Sequence, residues 1–207
     1  MNLENKTNNK FPSKVLNRLS VPNVVIVGGT ASGKSTVGYQ LSKVLDFGFL
    51  DLDALIEKDT GKPIVDIFKE SGENGFRDAE SKVIGGLQSI RNHVIVTGAG
   101  AIEGEENWTI LRKLGAVVWL ATPSSEVARR LAMKHSELSK RPLLAESVNI
   151  EDKEERIKFL VSKLDELLER RSHRYQESHL SLSCSFVTAE TCAHFIKKKL
   201  LQESFDL

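Results

Sequence analysis

The chain has 207 residues, 40% of them hydrophobic and 28% charged, which suits one globular domain of ordinary size with a real core. Its formal net charge of +1 supplies no basic field for nucleic acid or an anionic membrane surface. No apolar run reaches the roughly 18 residues that a membrane span requires.

In chain order, the opening stretch MNLENKTNNKFPSKVLNRLS lacks the apolar centre of a secretory signal, and Glu4 beside a single arginine, Arg18, argues against an organelle address. Residues 1–20 therefore read as a flexible tail and 21–207 as one domain, with the cytoplasm as the expected compartment. Five short apolar runs follow at 23–28, 48–53, 93–98, 116–121 and 181–188, each of strand length and rich in branched or aromatic residues. Helical patterns fall between them at 36–45, 63–70, 77–91, 107–114, 124–134, 151–171 and 189–203. Such alternation predicts a parallel sheet with helices on both faces, and ligands beyond the carboxyl ends of the strands. The segment 134–154 is polar, contains Pro142 and has no clear period, so it reads as a mobile surface loop. Cys184 and Cys192 belong to no metal-spaced cluster and are expected to be reduced core thiols.

The first strand runs into GGTASGKST, Gly28 to Thr36, where Gly28, Gly33, Lys34 and Ser35 fit G-x-x-x-x-G-K-[ST]. Glycines let successive backbone N–H groups turn inward on an anion, Lys34 adds a point charge, and the Ser35 hydroxyl can ligate Mg²⁺. A helix beginning near Lys34 points its positive end at the same phosphates. A nucleotide site follows, but a phosphate loop alone does not separate motor, switch, transporter subunit and small-molecule kinase.

Other residues narrow the choice. In FLDLD, period two would put Asp51 and Asp53 on one face at a strand's mouth, one acid for the metal and one for a substrate hydroxyl. The competing reading makes them caps of a helix at 54–59. In GFRDAE, Glu80 lies one helical turn from Arg77 and could orient its guanidinium, leaving the free edge for an anionic substrate; a solvated surface pair fits the spacing equally well. Small residues in VTGAGA let backbone amides approach a ligand. Arg141 falls in RPLLAE, and Arg170, Arg171 and Arg174 precede the last strand.

Together GGTASGKST, FLDLDALIE, GKPIVDIFKESGENGFRDAE, VTGAG and KRPLLAE stand in the order and approximate spacing of shikimate kinase, a resemblance that covers about Val24 to Tyr175. The resemblance implies a three-layer α/β/α P-loop kinase fold with a five-stranded parallel sheet, like nucleoside monophosphate kinases. A substrate-binding region would lie at about 54–92 and a lid at about 134–154. It implies ATP-dependent phosphorylation of the 3-hydroxyl of shikimate, in chorismate and aromatic amino-acid biosynthesis, with Mg²⁺ as cofactor. No nucleic-acid or membrane partner is implied, and a monomer is expected.

Carried over residue by residue, the resemblance gives Gly28, Gly29, Thr30, Ala31, Ser32, Gly33, Lys34, Ser35 and Thr36 to the phosphates and Ser35 with Asp51 to the metal. Asp53 is similar to the acid that holds the substrate hydroxyls and acts as base. Gly98, Ala99 and Gly100 line the substrate, and Arg77 with Arg171 resembles the pair that grips its carboxylate. Arg141 resembles the lid arginine that reaches the phosphates, and Arg130 stands where an arginine stacks on adenine. Lys34, Asp53 and Arg141 are the expected catalytic residues. Three departures stand out: Ala99 replaces the middle of three glycines, His173 and Arg174 replace a proline and an apolar residue, and His179 stands where a small residue is usual. They leave two alternatives open, a kinase for another small polyol acid such as gluconate, and a non-catalytic nucleotide-binding relative.

Overall fold

The computed structural model describes residues 19, 21–183, 185, 187–203 and 205. Its central strand, β1 (Val24–Gly28), is buried on both faces. Val24 and Ile26 pack into one core with Val37, Leu41 and Ile196, while Val25 and Val27 pack into the opposite core with Ile95, Leu111 and Val117. Period-two alternation across a two-sided sheet is why the run carries no polar residue. Each such side chain contributes about 1.5–3 kcal/mol by leaving water.

The strands β2 (Gly48–Asp51), β3 (His93–Val96), β4 (Ala116–Ala121) and β5 (Leu180–Ser183) complete a parallel sheet in the order β2-β3-β1-β4-β5. The helices α1 (Lys34–Leu45) and α8 (Ala189–Gln202) cover one face. The helices α3 (Ile64–Gly85), α4 (Glu105–Leu114) and α7 (Lys153–Gln176) contribute to the core of the other. Because β1 lies between β3 and β4, the loops leaving β1 and β3 are neighbours, which brings residues 28–36 and 97–103 to one rim.

Three local expectations change. The second apolar run leaves the strand after Asp51, whose side chain caps α2 (Leu52–Thr60) by accepting from the Asp53 N–H at 3.1 Å. Asp53 is therefore in a first helical turn and not on a strand face. The last run ends as a strand at Ser183, and Cys184 and Phe186 lie outside the described residues. Cys192, buried at the start of α8, is disulfide-bonded and not the expected reduced thiol. Of the expected tail only Leu19 is described, packed on the first core.

The segment 134–154 is not an irregular loop. It folds as α6 (His135–Leu138) and a 3₁₀ stretch, Pro142–Asn149, with Leu138 and Leu144 buried against α5 (Ser124–Ala132) and α7. Buried Arg156 of α7 donates to the carbonyls of Ala132 at 3.1 Å, Ser147 at 3.2 Å and Ile150, tying together the two ends of the segment. Short helices held by one guanidinium leave no periodic signal in the sequence. Among the described residues no helix is long and apolar enough to cross a membrane.

Candidate active site

Residues 29–33 curl around the N-terminus of α1. Gly33 sits at φ +94°, a left-handed position that suits glycine, and Ala31 also takes a positive φ of 54°. Before it meets any ligand, Lys34 donates to the Gly29 carbonyl at 2.7 Å. Burial lowers its pKa to about 8, with Arg141 and Arg171 adding to the fall and Asp53 and Asp51 opposing it. An ammonium so poorly solvated, beside the first N–H groups of a helix, is a strong anion site.

Thr30 to Thr36, Asp51, Asp53, Arg77, Gly98, Ala99, Gly100, Arg130, Arg141 and Arg171 line one cleft of about 510 Å³. Gly28 ends β1 below it, and Gly29 faces a separate, mainly apolar cavity of about 290 Å³. The Ser35 hydroxyl donates to Asp51 Oδ2 at 2.8 Å, so a hydroxyl and a carboxylate converge at the cradle's edge. Asp53 is raised above the usual carboxylate range, by burial first and by the Asp51 charge second, against the pull of Lys34 and Arg141. The helix-cap reading of this pair is thus correct for Asp51, and the cleft receives Asp53 from the same turn.

Opposite the cradle, Arg77 Nη1 donates to Glu80 Oε2 at 2.8 Å and Nη2 to Glu73 Oε1 at 2.9 Å. Glu80 has no exposed surface, which rules out a solvated surface pair. Burial raises its pKa, offset by Arg77, and its Oε1 has no hydrogen-bond partner. The free edge expected on Arg77 is instead taken by Glu73, because a break in α3 at Gly72 (φ +67°) restarts the helix there. The loop after β3 fits closely against these groups. A Cβ on Gly98 would lie 2.9 Å from both Asp53 Oδ1 and Glu80 Oε1, and one on Gly100 would meet Arg77 Nη2 at 2.2 Å. Ala99 is not among the positive-φ residues, so its methyl group costs the backbone nothing. Arg171, almost fully buried on α7, reaches the same cleft.

Arg141, at the start of the 3₁₀ stretch, lies 3.5 Å from Glu137, and its buried Nε has no hydrogen-bond partner. Its charge is felt at both Lys34 and Asp53. Arg130 lines the cleft but pairs with Glu126 on its own helix.

Comparison with known proteins decides what this cleft belongs to. The shikimate kinase family model matches residues 30–200. The chain belongs to the shikimate kinase family. A shikimate kinase of Prochlorococcus marinus is 36% identical over 189 residues, 91% of this chain and 92% of that protein. One from Chlorobium chlorochromatii is 38% identical over 170 residues, 82% of each. The solved shikimate kinase of Acinetobacter baumannii, in complex with shikimate, is 34% identical with a TM-score of 0.76, covering 91% of this chain and 97% of that one. The P-loop kinase fold, with its five parallel strands, is that of the family.

Within this shikimate kinase scaffold the departures find partners. Arg174 pairs with Glu105 and with Glu177, the latter at 3.4 Å, while His173 is exposed. His179 accepts the Val117 N–H at 2.9 Å beside β4 and packs its edge on Phe205. Unlike Ala99, none of His173, Arg174 and His179 lines the cleft. Sequence reasoning missed Lys134, Lys140, Glu137, Phe68 and Phe76, which also line the cleft. It also missed Glu103. The lysines sit in the stretch read as a loop, and single acids in loops carry no pattern.

Proposed function

We propose that the cleft transfers the γ-phosphoryl group of ATP to the 3-hydroxyl of shikimate, giving shikimate 3-phosphate and ADP, in chorismate and aromatic amino-acid biosynthesis. The observation that carries this reading is the meeting of Lys34, Asp53, Arg77, Arg141 and Arg171 around one cleft of about 510 Å³ in a member of this family. The backbone N–H groups of 29–36 and the Lys34 ammonium hold the β- and γ-phosphates. Asp53 orients the 3-hydroxyl and takes its proton as the oxygen attacks phosphorus and the bond to ADP breaks. A raised carboxyl pKa suits an acid that must accept a proton near neutrality. Arg77 and Arg171 bind the substrate carboxylate, and Glu73 yields its edge of Arg77 to it. Two guanidiniums favour a small acid over a neutral sugar. Arg141 adds positive charge to the transferring group, and Arg130 lies on the adenine side.

The Ser35 hydroxyl and Asp51 carboxylate, 2.8 Å apart, suit Mg²⁺ bound through one hydroxyl, one carboxylate by way of water, and the phosphates. No cluster of three or more His, Cys, Asp or Glu able to cage a metal exists among the described residues. Such an ion neutralises charge on the phosphate oxygens. Arg141 and the folded segment 134–150 act as the lid that excludes water from the reaction. A monomeric, cytoplasmic enzyme follows from the same reading.

The test is coupled ADP release with ATP and Mg²⁺, with and without shikimate. We expect shikimate-dependent ADP well above the hydrolysis background. Release unchanged by shikimate would overturn the assignment, and a panel of polyol acids including gluconate would then identify the acceptor.

A further inference from the structure

Glu103, in the loop after β3, has no role in the scheme above. Its carboxylate is held between two neighbours on α7. Oε1 accepts from Arg171 Nε at 2.7 Å and from Arg170 Nη2 at 3.0 Å, and Oε2 lies 2.9 Å from Arg170 Nε. Arg171 is 2% exposed, whereas Arg170 is half exposed and flanks Glu103, which stays partly exposed itself. Partial burial would raise the Glu103 pKa, but its hydrogen bonds to and the charges of Arg171 and Arg170 hold it below the usual range, so it stays ionised.

A guanidinium offers a carboxylate either its Nε edge or its Nη edge. Since Glu103 takes Nε, the Nη end is what Arg171 has left for the Tyr175 hydroxyl on one side and the cleft it lines on the other. We propose that Glu103 is a positioning residue for the substrate carboxylate: by holding the Nε edge of Arg171 it fixes the guanidinium with its Nη end turned to the cleft. The proposal rests on the reading of Arg171 as a carboxylate ligand.

The experiment is steady-state kinetics of Glu103→Ala, Glu103→Gln, Arg171→Ala and the Glu103→Ala/Arg171→Ala pair, each with a melting curve. Glu103→Ala should raise the shikimate KM about tenfold, with kcat within about twofold and the ATP KM unmoved. Glu103→Gln, which keeps an acceptor for Nε–H, should recover most of the loss, to about a threefold rise. Added to Arg171→Ala, Glu103→Ala should cost the shikimate KM nothing more. A tie that serves folding alone would lower the melting temperature and leave this KM pattern absent. An unmoved shikimate KM in Glu103→Ala beside a raised one in Arg171→Ala overturns this proposal alone, as does a full additional effect in the pair. An unmoved KM in Arg171→Ala overturns the clamp reading and this proposal with it. Should Glu103→Ala not fold, Glu103→Gln decides by the same KM-against-kcat split.

Discussion

The two halves of the cleft are built by different means. The phosphate cradle is nine consecutive residues, its shape set by backbone conformation at Gly33 and Ala31 and its charge by one buried lysine. The proposed carboxylate clamp gathers Arg77 from α3, Gly98 and Gly100 from the loop after β3, and Arg171 from α7, and acids hydrogen-bond both arginines. A cradle of backbone amides needs no counter-ion to hold its shape. A clamp of long flexible cations does, and each acid that orients a guanidinium also competes with the ligand for it.

This contrast can be broken from either side. Lys34→Ala should have the largest effect, a loss of about 10³-fold or more in kcat by the ADP-release assay, because it removes a preorganised charge at the transferring group. Retention of a tenth of the activity would remove Lys34 from that role. Asp53→Asn comes next: we expect about 10²-fold lower kcat with ATP affinity unchanged by calorimetry, as for a lost general base. Turnover retained in this variant would mean that another group takes the proton.

A smaller effect separates the halves by pH. With the Lys34 pKa at about 8 in the free protein and its ordinary value at 10.5, a bound polyphosphate favours the charged ammonium. Above pH 8 the protein must therefore take up a proton on binding, and ADP affinity should fall by up to about tenfold per pH unit. Below pH 8 Lys34 is already charged and contributes no slope. Titration calorimetry from pH 7 to 9 checks this, and a flat profile would show that burial does not weaken the ammonium. The smallest change is expected for Ala99→Gly, with a shikimate KM within about twofold of the parent, since the methyl group imposes no φ strain. A larger shift would mean that the ligand touches this Cα.

The cradle was legible because its chemistry is contiguous, and the fold because buried strands alternate with amphipathic helices. Arg77 and Glu80 were visible as a pair one helical turn apart. The competitor Glu73 was not, since it fell between the expected helices at 63–70 and 77–91, whereas α3 resumes right after Gly72 and sets it four residues before Arg77. Glu103 lies 68 residues from Arg171, and no spacing rule connects a loop acid to a distant helix. Asp53 was read as a strand residue because LDLD alternates; the cap was legible as the competing reading, and only the placed N–H that Asp51 accepts decides for it. The order of the segment 134–150 escaped notice for the same reason: Leu138, Leu144 and Arg156 act across chain distances that periodicity does not sample.

That last arrangement bears on how the enzyme works. Since Arg156 gathers carbonyls from both ends of the segment, Arg141 is carried on a folded piece tied together by one buried cation. On the proposed reading of this segment as a lid, it would close over a nucleotide as an assembled piece, with little backbone order left to gain at each cycle.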